Sequence, residues 1–206
     1  KITTIYLGLN KITSLNSQKI QNVPKSFFMF IGTLKERKNV LGVVDAFCEF
    51  KKNTNYPHKL IIVGKNNQNS VYVRKLNELI NKEHLMDDII FTNHITDREV
   101  LYLYENATAL IFPSLLEGFG FPILEAFDCN TPVITSNLSS LGEIAGEGAL
   151  LVDPLDKLQI ANAMKNIIED ENLVSKLLEN GRKRLKFFSW DKNAKEYTDL
   201  FTKDCK

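Results

Sequence analysis

Two carboxylates, Glu117 and Glu125, stand in the spacing E-x7-E within PSLLEGFGFPILEAFDCNTP, Pro113 to Pro132. Either could accept hydrogen bonds from a sugar or ribose diol, and such charge-assisted bonds are roughly twice as strong as neutral ones. Glu125 has a competing explanation. An acid in the first turn of a helix is favoured by the helix dipole, by a few tenths to about 1 kcal/mol. Glu117 precedes Gly118 in a turn and has no helix to serve. Gly118 and Gly120 would let the backbone approach a ligand closely, and Pro122 suits a first helical position. The N–H groups of a helix starting there would form an anion site for a diphosphate.

A basic cluster lies upstream. Arg37 and Lys38 follow Gly32 and Thr33 in GTLKERKN, just past an apolar run and just before a helical one. Phosphate neutralisation is the functional reading, with Arg able to bind bidentately and Lys acting as a point charge. An exposed charged turn is the bland one. His94, in Asn93-His94-Ile95, also falls just past a strand-like run and could flank a nucleobase or sugar, or simply face solvent. Other chemistries lack their parts. Gly64-Lys65-Asn66 misses both the upstream glycine and the Ser or Thr of a phosphate loop. His84 with Asp87 and Asp88 has no third metal ligand in HExxH form. Cys48, Cys129 and Cys205 lack CxxC spacing and read as free thiols in a reducing compartment. No Ser/His/Asp or Cys/His arrangement is legible.

These residues need a scaffold, and the chain supplies one. Its 206 residues can bury a substantial core, and 44% hydrophobic with 25% charged residues describes an ordinary globular protein. A formal net charge of +1 gives no field for nucleic acid or an anionic membrane. No apolar run approaches a membrane span. Strands are expected at Ile2 to Leu7, Phe27 to Ile31, Lys59 to Val63, Ile89 to Thr92, Ala109 to Phe112, Val133 to Thr135 and Ala149 to Val152. Between them, Val40 to Lys52 shows helical spacing with Val40, Val43, Val44, Phe47 and Phe50 on one face, and Asn39 as its N-cap. Val71 to Glu83 and Asp97 to Asn106 are also expected to be helical, the latter behind a Thr96-x-x-Glu99 capping box. A short helix is expected at Ser139 to Ala145. Leu155 onward reads as helical, broken near Gly181 and near Ser189. Alternating strands and helices predict an α/β fold with a doubly wound, Rossmann-like parallel sheet. Asn10 to Ser26 reads as linker.

In this order the segments resemble the C-terminal, donor-binding domain of retaining glycosyltransferases of family 4 (glycosyl transferases group 1), which have the GT-B fold. The match is carried by Gly32 with Arg37-Lys38-Asn39, Leu60 to Gly64, Leu101 to Ala107 (LYLYENA) and Phe112 to Ala126. It continues through Thr131 to Ser136, Gly142 to Gly146, Ala149 to Pro154 and Phe188-Ser-Trp190. The resemblance implies that residues 1–25 are the end of an N-terminal domain and its linker. Residues 26–188 would be the nucleotide-sugar-binding domain and 189–206 a C-terminal return helix, so that the chain is a fragment, half of an enzyme. It implies transfer of a hexosyl group with retention, from a nucleotide-diphospho-sugar to a glycan or lipid-linked glycan held by the other half. Glu117 would contact donor-sugar hydroxyls and Glu125 the ribose. Arg37 and Lys38 would hold the diphosphate without a metal or cofactor. Gly32, Thr33 and the backbone of Phe119, Gly120 and Phe121 would line sugar and phosphate, and Asn93, His94 and Ile95 the base. One departure stands out: where many relatives carry arginine after the first strand's glycine, this chain has Thr33, leaving Lys35 or Arg37 to supply the charge. The implied location is the cytoplasm, with the inner membrane face open to the full-length protein.

Two other classes share the architecture: a nucleotide-sugar epimerase or hydrolase, and a non-catalytic nucleotide-sugar-binding or scaffolding domain. The E-x7-E spacing argues against the first. An epimerase would turn over donor without acceptor, and a scaffold would tolerate loss of Glu117.

Overall fold

A computed structural model describes residues 2–65, 67 and 69–203; Asn66 and Cys205, considered above, lie outside them. Six strands form one sheet: β1 (Phe27–Ile31), β2 (Lys59–Val63), β3 (Ile89–Phe91), β4 (Ala109–Phe112), β5 (Val133–Ser136) and β6 (Leu150–Val152). The order is β3-β2-β1-β4-β5-β6 and every neighbouring pair is parallel. β1 and β4 are central and covered on both faces, which is why FFMFI and ALIF are unbroken apolar runs rather than alternating ones. Full burial of such a side chain contributes about 1.5–3 kcal/mol, so these two strands anchor the core.

Helices cover the sheet in two groups. α1 (Val40–Asn53) packs with α2 (Val71–Lys82) and α6 (Lys157–Glu169), while α4 (Phe121–Asp128) packs with α5 (Leu141–Ala145) and α7 (Glu171–Leu185). Right-handed crossovers in a sheet whose order reverses between β1 and β4 put the groups on opposite faces. All five expected α1 face residues are buried. α3 (Asp97–Asn106) carries the expected capping box, Thr96 and Glu99 satisfying each other's backbone N–H. Among the described residues no helix is long and apolar enough to cross a membrane.

Four expectations are corrected. Ile2 to Leu7, expected as a strand, pairs with no strand among the described residues. It is pinned instead by side chains, with Asn193 donating to the Tyr6 carbonyl at 2.7 Å and the Tyr6 ring meeting Phe188 edge-on at 5.4 Å. The segment read as linker lies against the domain. Its 3-10 turn Ile12–Ser14 packs on α3 and α4, and the Thr13 hydroxyl donates to Asp128 at 2.7 Å. Asn39 precedes α1 but does not cap it with its side chain, because its left-handed backbone (φ 56°) turns that side chain elsewhere. Gly181 does not break a helix. α7 runs through it because the missing side chain lets Phe127 close in, where a Cβ would stand 2.8 Å from the ring. The true break is Asp170, whose carboxylate accepts the Leu173 N–H at 2.9 Å and starts α7 afresh. The expected break near Ser189 is present, and α8 (Trp190–Lys203) follows it.

Candidate active site

Parallel α/β sheets bind ligands outside the carboxyl ends of the strands, where strand order reverses. That point lies between β1 and β4, and the loops leaving these two strands are fastened together. The Arg37 carbonyl accepts the Leu115 N–H at 2.8 Å. Asn39, buried, donates its amide to the Pro113 carbonyl at 3.1 Å and the Pro154 carbonyl at 2.6 Å. One side chain thereby joins the loops after β1, β4 and β6.

This fastening brings Arg37, Lys38 and Glu117 together although 79 residues separate Lys38 from Glu117 in sequence. Arg37 donates to Glu117 Oε2 at 3.1 Å and to the Leu116 carbonyl at 3.4 Å. The Lys38 ammonium stands 2.5 Å from Glu117 Oε1 and 4.8 Å from the centre of the Phe112 ring. Both Lys38 and Glu117 side chains are only 11% exposed, so this is a largely desolvated ion pair. Even so, Oε1 is buried without a hydrogen bond: the ammonium meets it as a charge and not along a bond direction. Ser114 Oγ, three residues before Glu117, is buried and likewise without a partner. A buried hydroxyl with no partner at all, as at Ser114, is unusual in a folded protein, where such groups are nearly always satisfied.

Glu117 leads into α4 through Gly118, Phe119 and Gly120. Gly120 has φ 129° and a Cβ there would lie 2.9 Å from Leu141, so glycine is required on both counts. Gly118 faces open space. Phe121 and Pro122 form the first turn of α4, with Phe119 and Phe121 ring centres 4.9 Å apart. The N–H end of α4 is thus presented beside Glu117.

A crevice of about 1080 Å³ lies along the ends of β1, β2 and β3. Gly32, Thr33, Lys35, Asn93, His94 and Ile95 line it, together with Gly64 and Ser70. Its wall reaches Lys35; two residues on, Arg37 and Lys38 turn to Glu117. The sequence-derived residues therefore fall into two adjoining parts, an ionic cluster at the switch point and a longer crevice beside it. Lys35 makes no ion pair among the described residues, while Arg37 and Lys38 are both committed to Glu117.

Glu125 occupies a different setting. It is half-buried on α4, and Tyr104, fully buried on α3, donates its hydroxyl to Oε2 at 2.9 Å. Burial pushes the Glu125 carboxyl above its ordinary pKa, against the opposing effect of the Tyr104 bond. Tyr104 also lies outside the sequence reading, because a tyrosine on the apolar stripe of LYLY looks like core; its clue is a polar hydroxyl at a position that must be buried. Both described cysteines are insulated. Burial raises the Cys48 thiol and pushes Cys129 up to about 12.

Sheet order, switch-point crevice and paired ionic loops define a GT-B type glycosyltransferase domain. The chain belongs to the glycosyl transferases group 1 family, whose model matches residues 13–184. It is 32% identical over 174 residues to O-antigen chain mannosyltransferase B of Escherichia coli, covering 84% of this chain and 45% of that protein. It is 32% identical over 177 residues to an O-antigen chain mannosyltransferase of Salmonella typhimurium, covering 85% of this chain and 47% of that one. Sucrose-phosphate synthase from Thermosynechococcus elongatus superposes with a TM-score of 0.79 at 25% identity, over 96% of this chain and 51% of that structure. Anabaena HepE, solved with UDP and glucose, superposes with a TM-score of 0.81 at 19% identity, over 97% of this chain and 56% of that structure. The chain thus spans about half the length of the curated relatives it matches.

Proposed function

We propose that this chain is the donor-binding half of a retaining hexosyltransferase of family 4, working with an acceptor-binding half to pass a hexosyl group from a nucleotide-diphospho-sugar to a glycan or lipid-linked glycan. The observation that carries the reading is Glu117 Oε1: a buried carboxylate oxygen, charge-compensated yet without a hydrogen bond, at the switch point of the sheet. Such an oxygen is suited to accept a sugar hydroxyl. Arg37 and Lys38 supply positive charge where a departing diphosphate would develop negative charge, which is the principal demand of this chemistry. Lys35 and the α4 N-terminus add to it, so the site calls for no metal. Glu125 serves the ribose, and Asn93 to Ile95 flank the base. The two O-antigen chain mannosyltransferase relatives favour mannose as the sugar and a surface polysaccharide as the product.

In this reading residues 1–25 lead in from the other half, 189–206 return to it, and the chain alone binds nucleotide weakly and transfers little. Calorimetry and amide-shift mapping against UDP, GDP, ADP and their hexose conjugates test it. Shifts are expected at residues 32–39, 93–95 and 117–125. Shifts confined to residues remote from Glu117 and Lys38 would overturn it.

A further inference from the structure

The loop carrying Glu117 is tied on its far side by two consecutive serines. Ser139 Oγ accepts the Glu117 N–H at 3.3 Å. The Ser140 hydroxyl shares its one proton in a bifurcated bond between the Phe119 carbonyl at 2.8 Å and the Glu117 carbonyl at 3.0 Å. Both residues depart from local preference to do so. Ser140 immediately precedes α5, where a serine hydroxyl ordinarily accepts an N–H of the first turn; no such bond is made, and its backbone is helical rather than extended. Ser139 holds φ 54°, a left-handed conformation uncommon for residues other than glycine.

Peptide planarity gives these ties a consequence. All peptide bonds described are trans, so the N–H of each peptide points opposite to its carbonyl. With the carbonyls of Glu117 and Phe119 held toward Ser140, the N–H groups of Gly118 and Gly120 are turned away from α5. Neither finds an acceptor among the described residues. A Cβ at Gly118 would meet nothing within 4 Å, so the loop is uncrowded there. Glycine on the N–H side of both planes leaves them free to rotate unless something holds the carbonyls.

We propose that Ser140, assisted by Ser139, is a positioning residue that fixes two peptide planes so that the Gly118 and Gly120 N–H groups stay turned away from α5, each free to meet its own oxygen of the donor's sugar or diphosphate. The proposal rests on the donor-site reading of the Glu117 loop. Ser140 touches no substrate; it acts through the loop. Without its hydroxyl the planes relax, and misplacement of about 1 Å in a reacting geometry can cost on the order of 100-fold in rate.

Amide spectra of the chain titrated with UDP- and GDP-hexoses test this. In the native chain the Gly118 and Gly120 amides should move on binding. Ser140→Ala should abolish those two movements, keep those of residues 93–95, and weaken hexose-conjugate binding about tenfold, a loss matching one hydrogen-bonded anchor. Ser140→Thr, which keeps the hydroxyl, should restore both. Ser139→Gly, which suits φ 54° and removes only the tie on the Glu117 N–H, should cost less and guards against a folding artefact in the Ala variant. Native-like binding and native-like glycine shifts in Ser140→Ala would overturn the inference while leaving the donor site standing. Failure of the native chain to bind any conjugate would overturn both.

Discussion

Lys38 Nζ stands 2.5 Å from Glu117 Oε1 without bonding to it, whereas Arg37 donates properly to Oε2 at 3.1 Å. The carboxylate is thus held in place through one oxygen and faced by a cation at the other. Breaking one partner of a buried pair is costly because the survivor is left uncompensated, and here two cations depend on one acid.

Glu117→Gln keeps the shape and removes the charge. In a protein carrying both halves, transfer should fall about 100-fold or more, the range seen when a single transition-state electrostatic contact is lost. Arg37 and Lys38 then repel each other unscreened, so a small drop in melting temperature should accompany it. Undiminished transfer would remove Glu117 from the chemistry.

Ser114→Ala should behave oppositely. Its hydroxyl is buried without a partner, so truncation forfeits no hydrogen bond. Stability should change by less than about 0.5 kcal/mol or improve, since an unsatisfied buried polar group is itself a cost. Denaturant midpoints of the two chains settle it, and a large loss would mean the hydroxyl has a role in folding.

His58 should give the fold an acid-sensitive limb. Its ring stacks on Phe28 at 5.2 Å and meets Phe50 and Tyr56 edge-on, with Nδ1 unpartnered. Burial first, and the nearby Lys51 ammonium second, hold its pKa below 6.5. Above 6.5 the ring is neutral folded or unfolded and contributes nothing to pH dependence. As pH falls through 6.5 the unfolded chain takes the proton and the folded chain resists it. Stability therefore declines until the lower folded value is passed, then levels. His58→Leu should flatten the loss of urea midpoint between about pH 7 and about pH 5; an unchanged slope would place the sensitivity elsewhere.

Gly181→Ala tests the crossing of α7 over α4. Helix propensity alone would favour alanine by about 1 kcal/mol. The added Cβ would sit 2.8 Å from Phe127, and overpacking of this kind costs about 1–3 kcal/mol. Net destabilisation is expected in chemical denaturation, and a stabilised variant would show that Phe127 moves freely.

How much of this was legible depended on whether a residue's local signal and its tertiary duty agreed. β1, β4 and their neighbours were readable because unbroken apolar runs ending in glycine or proline mean a doubly covered strand. Glu117, Arg37 and Lys38 were readable because charges just past strand ends have no local employment. Ile2 to Leu7 misled because extended backbone held by Asn193 and Phe188 has the composition of a strand without a ladder. Gly181 misled because a glycine that admits a neighbouring ring is indistinguishable, locally, from one that ends a helix. Ser140 and Tyr104 were invisible for a related reason: a serine before a helix reads as a cap, and a tyrosine in an apolar stripe reads as core. Each spends its hydroxyl on a partner about twenty residues away in the chain, Ser140 chiefly on Phe119 and Tyr104 on Glu125.

The sheet order also sets a timetable for synthesis. β1 pairs with β2 as soon as the short α1 crossover is made, and β3 follows, so β3-β2-β1 is a complete half-sheet early on. β1's other edge must wait, since Met29 pairs with Leu110. Until the ribosome reaches β4, the buried central strand β1 keeps an open edge, and only then can β5 and β6 be added. The seam that finally closes, β1 against β4, is the one over which Glu117 meets Lys38. That ion pair therefore forms only after β4 is made, and nascent chains halted before β4 should be the aggregation-prone species.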